Sequence, residues 1–216
     1  MPRESQKRKR ERAIEVCERM GKRYPDAQPA LHFHDPFTLT IAVLLSAQTT
    51  DAAVNKVTPE LFSRWPDAVS MAQANPDEIA RVIHSIGFYR TKARNCVGCA
   101  QRILSDFGGE VPHTMKELQT LPGVGRKTAN IVMNEAFGQV EGIAVDTHVF
   151  RLAHKLRLSS AKDPSATEQD LLKLIPRELW KPVNSQWILF GREVCIANRP
   201  RCGECELADI CPSCGK

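Results

Sequence analysis

The chain has 216 residues, of which 42% are hydrophobic and 25% are charged, as in an ordinary soluble globular protein. This composition excludes a disordered or fibrous chain, and no apolar run is long enough to span a bilayer. Thirty basic residues against 25 acidic ones give a net charge of +5, which is only mild support for an anionic partner. The basic N-terminus has no apolar core and no cleavage motif, so we expect a cytoplasmic protein without a secretory signal.

The positive charge is concentrated at the N-terminus. Residues 3–12 hold six basic and two acidic residues, so the rest of the chain sums to +1. Segments 90–102 and 151–157 are basic without any acid, and 181–201 holds four basic residues against one acid. Local basic surfaces on a nearly neutral body suit a protein that contacts a phosphate backbone, although solvated helix faces would give the same pattern.

Almost every segment of the chain is predicted to be helical. Residues suited to open or cap a helix stand at Pro36, Asp51, Asp77, Thr114 and Asp146. Apolar residues keep a helical period over 93–107 and 129–137, and glycine turns at 107–109 and 121–123 separate helices. Because no strand alternation and no repeat is present, we predict an all-α fold with short loops.

Residues 121–130 read Leu-Pro-Gly-Val-Gly-Arg-Lys-Thr-Ala-Asn, with Gly123 and Gly125 two residues apart. The two glycines allow a tight turn and a close approach to a ligand, and a helix that begins near Gly125 or Arg126 directs unpaired N–H groups toward it. A nucleotide-binding P-loop is excluded because Arg126 separates Gly125 from Lys127. The segment instead resembles a helix-hairpin-helix element, which grips DNA backbone without reading sequence.

Lys127 lies in the first turn of that predicted helix, away from the apolar stripe and on the face of Asn130 and Asn134. Positive charge at a helix N-terminus is mildly unfavourable, which favours the neutral amine, and a neutral amine is a nucleophile. From the local features alone, a lysine that contacts phosphate is the simpler interpretation, and the nucleophile stays open as the alternative.

Asp146 stands in the sequence Val-Asp-Thr-His, at the start of another predicted helix. A plain N-cap is the simplest role for it. The same carboxylate can stabilise a cationic sugar while a glycosidic bond breaks, so the two roles are compatible. His148 is a candidate base, with a structural histidine as the simpler interpretation.

Five of the eight cysteines are concentrated near the C-terminus, at Cys195, Cys202, Cys205, Cys211 and Cys214. Nothing indicates export, so this dense group predicts a metal or iron–sulfur site rather than disulfides. Thiolates suit zinc and a cubane cluster equally well. A second Cys-x-x-Cys pair, Cys96 and Cys99, lies within a predicted helix and is interpreted as core.

Four motifs together resemble the bacterial endonuclease III family of helix-hairpin-helix DNA glycosylases. They are LLSAQTTD at 44–51, LPGVGRKTAN at 121–130, VDTHVFRL at 145–152 and Cys-x6-Cys-x2-Cys-x5-Cys at 195–211. The resemblance covers roughly residues 12–211. It implies a six-helix domain at 29–140 and an iron–sulfur domain formed by 1–28 and 141–216, with the cluster loop at 195–211.

The resemblance also implies an activity and a set of site residues. The activity is a bifunctional glycosylase and AP lyase for oxidised pyrimidines in double-stranded DNA, acting as a monomer in the bacterial cytoplasm at the nucleoid, away from membranes. Lys127 matches the Schiff-base lysine and Asp146 the catalytic aspartate. The expected DNA contacts are Gln48, Phe88, Gly123, Gly125, Arg126, Arg199 and Arg201. The expected [4Fe–4S] ligands are Cys195, Cys202, Cys205 and Cys211.

Two positions depart from the family pattern. Phe88 stands where the family commonly has an aliphatic wedge, and an aromatic ring there can stack on bases unless it simply packs against its own helix. Cys214 lies beyond the matching spacing and is interpreted as a spare thiol. A related adenine glycosylase would lack Lys127, and a non-catalytic DNA-binding module would use Lys127 and Asp146 only as a phosphate contact and an N-cap.

Overall fold

The computed structural model describes residues 4–215, and every regular element in that range is a helix, which confirms the all-α prediction. In chain order the helices are α1 (Gln6–Arg23), α2 (Pro36–Leu45), α3 (Asp51–Arg64), α4 (Ala68–Ala72), α5 (Pro76–Val82), α6 (Tyr89–Phe107), α7 (Met115–Leu118), α8 (Arg126–Phe137), α9 (Thr147–Lys155), α10 (Pro164–Leu174) and α11 (Trp180–Glu193). Two short 3-10 helices lie at Arg177–Leu179 and Cys202–Glu204. Among these elements, none has both the length and the apolar character that a membrane crossing needs.

The chain divides into two compact units. The central unit is Ala30–Glu141, and the terminal unit combines Met1–Pro29 with Gly142–Lys216. Each unit has its own core of buried apolar side chains, one built around α2 and the other around α1 and α11.

Helix α2 forms the middle of the central unit. Its sequence, PFTLTIAVLL, is apolar on all sides, and nine of its ten residues are buried. Thr40 is tolerated there because its hydroxyl donates to the Pro36 carbonyl at 2.7 Å. Helices α3, α6 and α8 pack against α2, which fixes the start of α8 on a rigid base.

Two of the predicted helix caps are displaced by one or two residues. Thr50 rather than Asp51 caps α3, and Asn75 rather than Asp77 caps α5, with Pro76 at the first helical position. An N-cap residue must have extended backbone, whereas Asp51 and Asp77 already lie within their helices. The caps at Thr114 and Asp146 are confirmed.

The basic N-terminal segment is not a simple tail. Residues 6–12 form the first turns of α1, which Ser5 caps, while Arg3 lies outside the described residues. Arg12 is only 8% exposed, pairs with Glu4 at 2.7 Å and donates to the Leu156 carbonyl at 2.6 Å. Arg12 therefore fixes α1 within the terminal unit and is not available to DNA.

Candidate active site, DNA-contact residues and cysteine loop

The hairpin (residues 121–125) joins α7 to α8 and is anchored on the central core. Leu121 and Val124 are buried, and the Val124 N–H donates to the Leu121 carbonyl at 3.0 Å. Gly123 has a φ of +79°, and a Cβ there would lie 2.9 Å from Leu44 Cδ1 and 3.0 Å from Asn95 Nδ2. The protein itself therefore requires glycine at this position.

Gly125 has a different role. It is the N-cap of α8 with extended backbone, and a Cβ added there would meet no atom within 4 Å. An ordinary residue would fit, yet glycine leaves the start of α8 without a side-chain cap and without bulk. Such an open helix N-terminus suits a phosphate oxygen.

Lys127 occupies the first turn of α8, as predicted, and is half-buried. Asn130, on the same face one turn later, is only 3% exposed, and Asn134 is half-buried. The face of α8 that carries Lys127 therefore becomes largely buried one turn further along the helix.

Asp146 caps α9 with one carboxylate oxygen. Its Oδ1 accepts hydrogen bonds from the N–H groups of His148 at 2.9 Å and Val149 at 2.8 Å. Across residues 4–215, no hydrogen bond of the protein reaches Oδ2, and the residue is half-buried. One oxygen therefore orients the carboxylate while the other remains available to a substrate.

His148 is held by its surroundings in the terminal unit. Its Nδ1 lies 3.4 Å from Arg151 Nη2, and a Cβ on Gly191 would lie 2.9 Å from the same nitrogen. This close packing against α11 favours the structural interpretation of His148 over a base.

Gln48 and Phe88 lie on adjoining loops of the central unit. Both have left-handed backbone, with φ values of 53° and 58°. A Cβ on Gly87 would lie 4.0 Å from the Gln48 carbonyl oxygen, so the two loops are neighbours. The Phe88 side chain is 68% exposed, which excludes packing against its own helix. An exposed aromatic ring on a strained turn is unusual in a free protein and indicates a contact surface.

Lys92 does not belong to the basic surface that the sequence predicts for residues 90–102. It is 5% exposed and donates to Thr49 Oγ1 at 2.5 Å. Burial lowers the pKa of Lys92. The signal was available, because Lys92 lies four residues before Cys96 on the apolar stripe of α6.

Other residues of the predicted basic segments also have internal partners. Arg102 pairs with Asp106 at 2.5 Å. Arg151 donates to the carbonyl oxygens of Gly191 at 2.9 Å and Cys195 at 3.0 Å. The segment charge therefore overstates the surface that phosphate can reach, whereas Arg199 and Arg201 are exposed as expected.

The cysteine loop (residues 195–211) follows α11. The four predicted ligands and Cys214 all have free thiols, and all five line one small cavity of about 30 Å³. Its apolar wall includes Leu152, Phe190 and Leu207. Within residues 4–215, no three His, Cys, Asp or Glu side chains converge closely enough to hold a single metal ion.

Two arginines of α1 hold the far side of the cysteine loop, because Arg19 pairs with Asp209 at 2.6 Å and Arg23 pairs with Glu206. Next to α1, the Tyr24 hydroxyl donates to Glu193 at the end of α11 at 2.8 Å. These contacts, together with Arg151, hold both ends of the loop.

In the central core, by contrast, Cys96 and Cys99 are fully buried, and burial raises the pKa of Cys99 to about 12, as expected for packing residues.

Comparisons with known proteins agree with this arrangement. Residues 41–177 match the family described as HhH-GPD superfamily base excision DNA repair protein. Endonuclease III of Synechocystis is 50% identical over 205 residues, 95% of this chain and 94% of that protein. Endonuclease III of Escherichia coli K12 is 41% identical, over 92% of this chain and 93% of that protein.

A solved structure of a trapped endonuclease III–DNA covalent intermediate is also similar. It is 42% identical, covers 94% of this chain and 96% of its own, and superposes with a TM-score of 0.90. Sequence and fold agree over nearly the whole length of both chains. This chain therefore belongs to the HhH-GPD superfamily of base excision DNA repair proteins, and within it to the endonuclease III family.

Proposed function

We propose that this protein is a bifunctional DNA glycosylase and AP lyase of base excision repair, with Lys127 as its nucleophile. Its substrates are oxidised pyrimidines and abasic sites in double-stranded DNA, and it works on chromosomal DNA in the bacterial cytoplasm. The observation that carries the proposal is the position of the half-buried residue Lys127 in the first turn of α8, directly after an open, glycine-capped hairpin.

Substrate access requires the damaged nucleotide to leave the duplex, which costs a few kcal/mol. Gln48 and Phe88 are suited to fill the resulting gap, because both side chains are exposed on adjoining loops. The ring of Phe88 stacks on the bases that remain, and base–aromatic stacking contributes about 1–3 kcal/mol. Gly123, Gly125 and Arg126 hold the phosphate backbone through the hairpin, with Arg199 and Arg201 as further phosphate contacts.

Base removal then uses the two helix starts. The neutral amine of Lys127 attacks C1′ of the sugar and forms a C–N bond, while the glycosidic bond breaks and its electron pair leaves with the base. The free Oδ2 of Asp146 stabilises the positive charge that develops on the sugar. Oδ1 meanwhile stays bonded to the N–H groups of α9, so the carboxylate does not reorient during the reaction.

Strand cleavage follows from the same covalent bond. Opening of the sugar ring leaves an iminium between Lys127 and C1′, which acidifies the C2′ proton. Loss of that proton and departure of the 3′ phosphate complete a β-elimination, and water then releases Lys127.

Cys195, Cys202, Cys205 and Cys211 are proposed to hold a [4Fe–4S] cluster. The fit rests on the donor set, because four free thiols from one loop line a single cavity and thiolates are the ligands that such a cluster takes. When bound, the group supplies structural cross-linking of the loop. The loop then presents Arg199 and Arg201 at fixed positions. Zinc is the competing metal, and iron analysis with visible absorbance separates the two.

The decisive experiment is trapping with borohydride, which reduces the iminium to a stable amine. A duplex that contains one thymine glycol is incubated with wild type, Lys127→Gln and the exposed control Lys116→Gln. We expect a covalent adduct with wild type and Lys116→Gln, and at least ~10³-fold less with Lys127→Gln.

The alternatives give different outcomes in that experiment. A monofunctional glycosylase would release the base without any adduct. A non-catalytic DNA-binding module would bind the duplex and release nothing. Either result with wild type would contradict the proposal.

A further inference from the structure

The cavity of the cysteine loop contains one more thiol than a four-ligand site requires. Cys214 lines it together with the four proposed ligands and forms no disulfide. Its N–H donates to the Cys211 carbonyl at 3.1 Å, and its thiol interacts with the thiol of Cys202. Cys214 is therefore part of the cluster of thiols rather than an isolated surface cysteine.

Cys214 lies on the side of the cavity that Cys202 and Cys211 line, and its thiol interacts with the thiols of both. Cys211 and Cys214 also repeat the two-residue spacing of Cys202 and Cys205. The spacing suits two sulfur ligands on one turn. Cys195 is held differently, because Arg151 grips its carbonyl oxygen at 3.0 Å.

We propose that Cys214 is a reserve ligand of the cofactor, able to take the coordination position of Cys202. This inference rests on the cofactor proposed above. In the exchange, the Cys214 sulfur gives up its proton as it binds the metal, and the Cys202 sulfur takes a proton as it leaves. No electron is transferred, so the exchange needs no oxidant or reductant. Its consequence is a cofactor that survives loss or modification of one ligand.

The test compares metal content among variants produced and purified without oxygen. The variants are Cys202→Ala, Cys214→Ala, the double variant, and Cys195→Ala as the control for a ligand without a neighbouring reserve. Alanine is used because a serine oxygen can itself bind iron. Iron per chain, visible absorbance and melting temperature are measured.

Wild type and Cys214→Ala should contain equal iron, and Cys202→Ala should keep at least half of it. The iron content of the double variant and of Cys195→Ala should be at least ten-fold lower than that of wild type. If Cys202→Ala is as poor in iron as Cys195→Ala, the reserve role is wrong, while wild-type iron would still support the proposed cofactor. If wild type holds zinc, the cofactor is wrong and zinc content of the same variants tests Cys214. Wild type without either metal overturns both.

A second measurement avoids variants that fold poorly. Wild type and Cys214→Ala, both with intact primary ligands, are exposed to an iron chelator, and the loss of visible absorbance is followed. A reserve ligand predicts loss at least three-fold faster in Cys214→Ala. Equal rates would overturn the proposal even if Cys202→Ala yields no folded protein.

Discussion

Two helix starts carry the proposed chemistry, and they are built in opposite ways. α8 begins at Gly125, which offers no side-chain cap, and places Lys127 in its first turn. α9 begins at Asp146, whose carboxylate caps the helix directly. Since a helix N-terminus carries partial positive charge, it favours the carboxylate and disfavours the amine. At α9 the proposed function and the stability of the helix favour the same residue, whereas at α8 the proposed function favours an amine where the helix dipole does not.

Asp146 gives the strongest way to separate the two roles at α9. Asp146→Asn keeps an oxygen that can cap the helix but removes the negative charge, so we expect base release to fall about 10²–10³-fold with stability nearly unchanged. Asp146→Ala should lose activity similarly and also lower the free energy of unfolding by about 1 kcal/mol. Single-turnover base release and denaturant unfolding measure the two effects. Equal stability of the two variants would contradict the capping role.

Substitutions of the two hairpin glycines separate the structural role from the DNA-contact role at the start of α8. Gly123→Ala should lower the free energy of unfolding by about 1–3 kcal/mol, because its φ is positive and Leu44 and Asn95 occupy the space. Gly125→Ala should lower it less, by about 0.5–1 kcal/mol, because the space is open and only the poorer N-cap preference of alanine counts. DNA affinity should nevertheless fall several-fold in Gly125→Ala. Unchanged affinity would show that the open helix end does not meet phosphate.

Lys92 extends the comparison to an amine that is buried in the protein. Thr49→Val should cost about 1–3 kcal/mol, because it leaves the buried ammonium unpaired, and should matter little in a Lys92→Met background. Thermal unfolding of wild type, Thr49→Val, Lys92→Met and the double variant gives the coupling free energy between Thr49 and Lys92. Additive effects would mean that the hydrogen bond contributes nothing.

The burial of Lys92 also predicts that the stability of the protein depends on pH. The pKa of Lys92 is lowered in the folded state, so the unfolded chain binds the extra proton between the folded value and the ordinary lysine value near 10.4. Wild-type stability should therefore rise with pH through that window relative to Lys92→Met. A constant difference across the window would contradict a buried, titrating lysine.

The sequence was sufficient to predict the all-α class, the helices over 93–107 and 129–137, the hairpin and the caps at Thr114 and Asp146, because each has a local signal in periodicity, glycine spacing or residue type. Asp51 and Asp77 were misplaced, since Thr50 and Asn75 cap equally well and only the backbone decides between neighbours. The charge summed over residues 90–102 does not reveal that Lys92 is buried, because the sum ignores which face of α6 each residue occupies.

Tertiary partners explain the remaining differences. Arg12, Arg102 and Arg151 carry charge that the sequence presents as available to DNA, yet all three contact groups of the protein itself. Arg12 and Arg151 reach residues distant in sequence, so no local pattern could reveal them. The two oxygens of Asp146 likewise have separate environments that only the folded structure distinguishes.

The central claim is that the Lys127 amine becomes covalently bound to the sugar, and peptide mapping tests it most directly. Wild-type protein is trapped on damaged duplex with borohydride, the DNA is digested, and the peptides are analysed by mass spectrometry. The account predicts the reduced sugar remnant on Lys127. Its presence on another amine, such as Lys92 or the N-terminus, with Lys127 unmodified, would contradict the account.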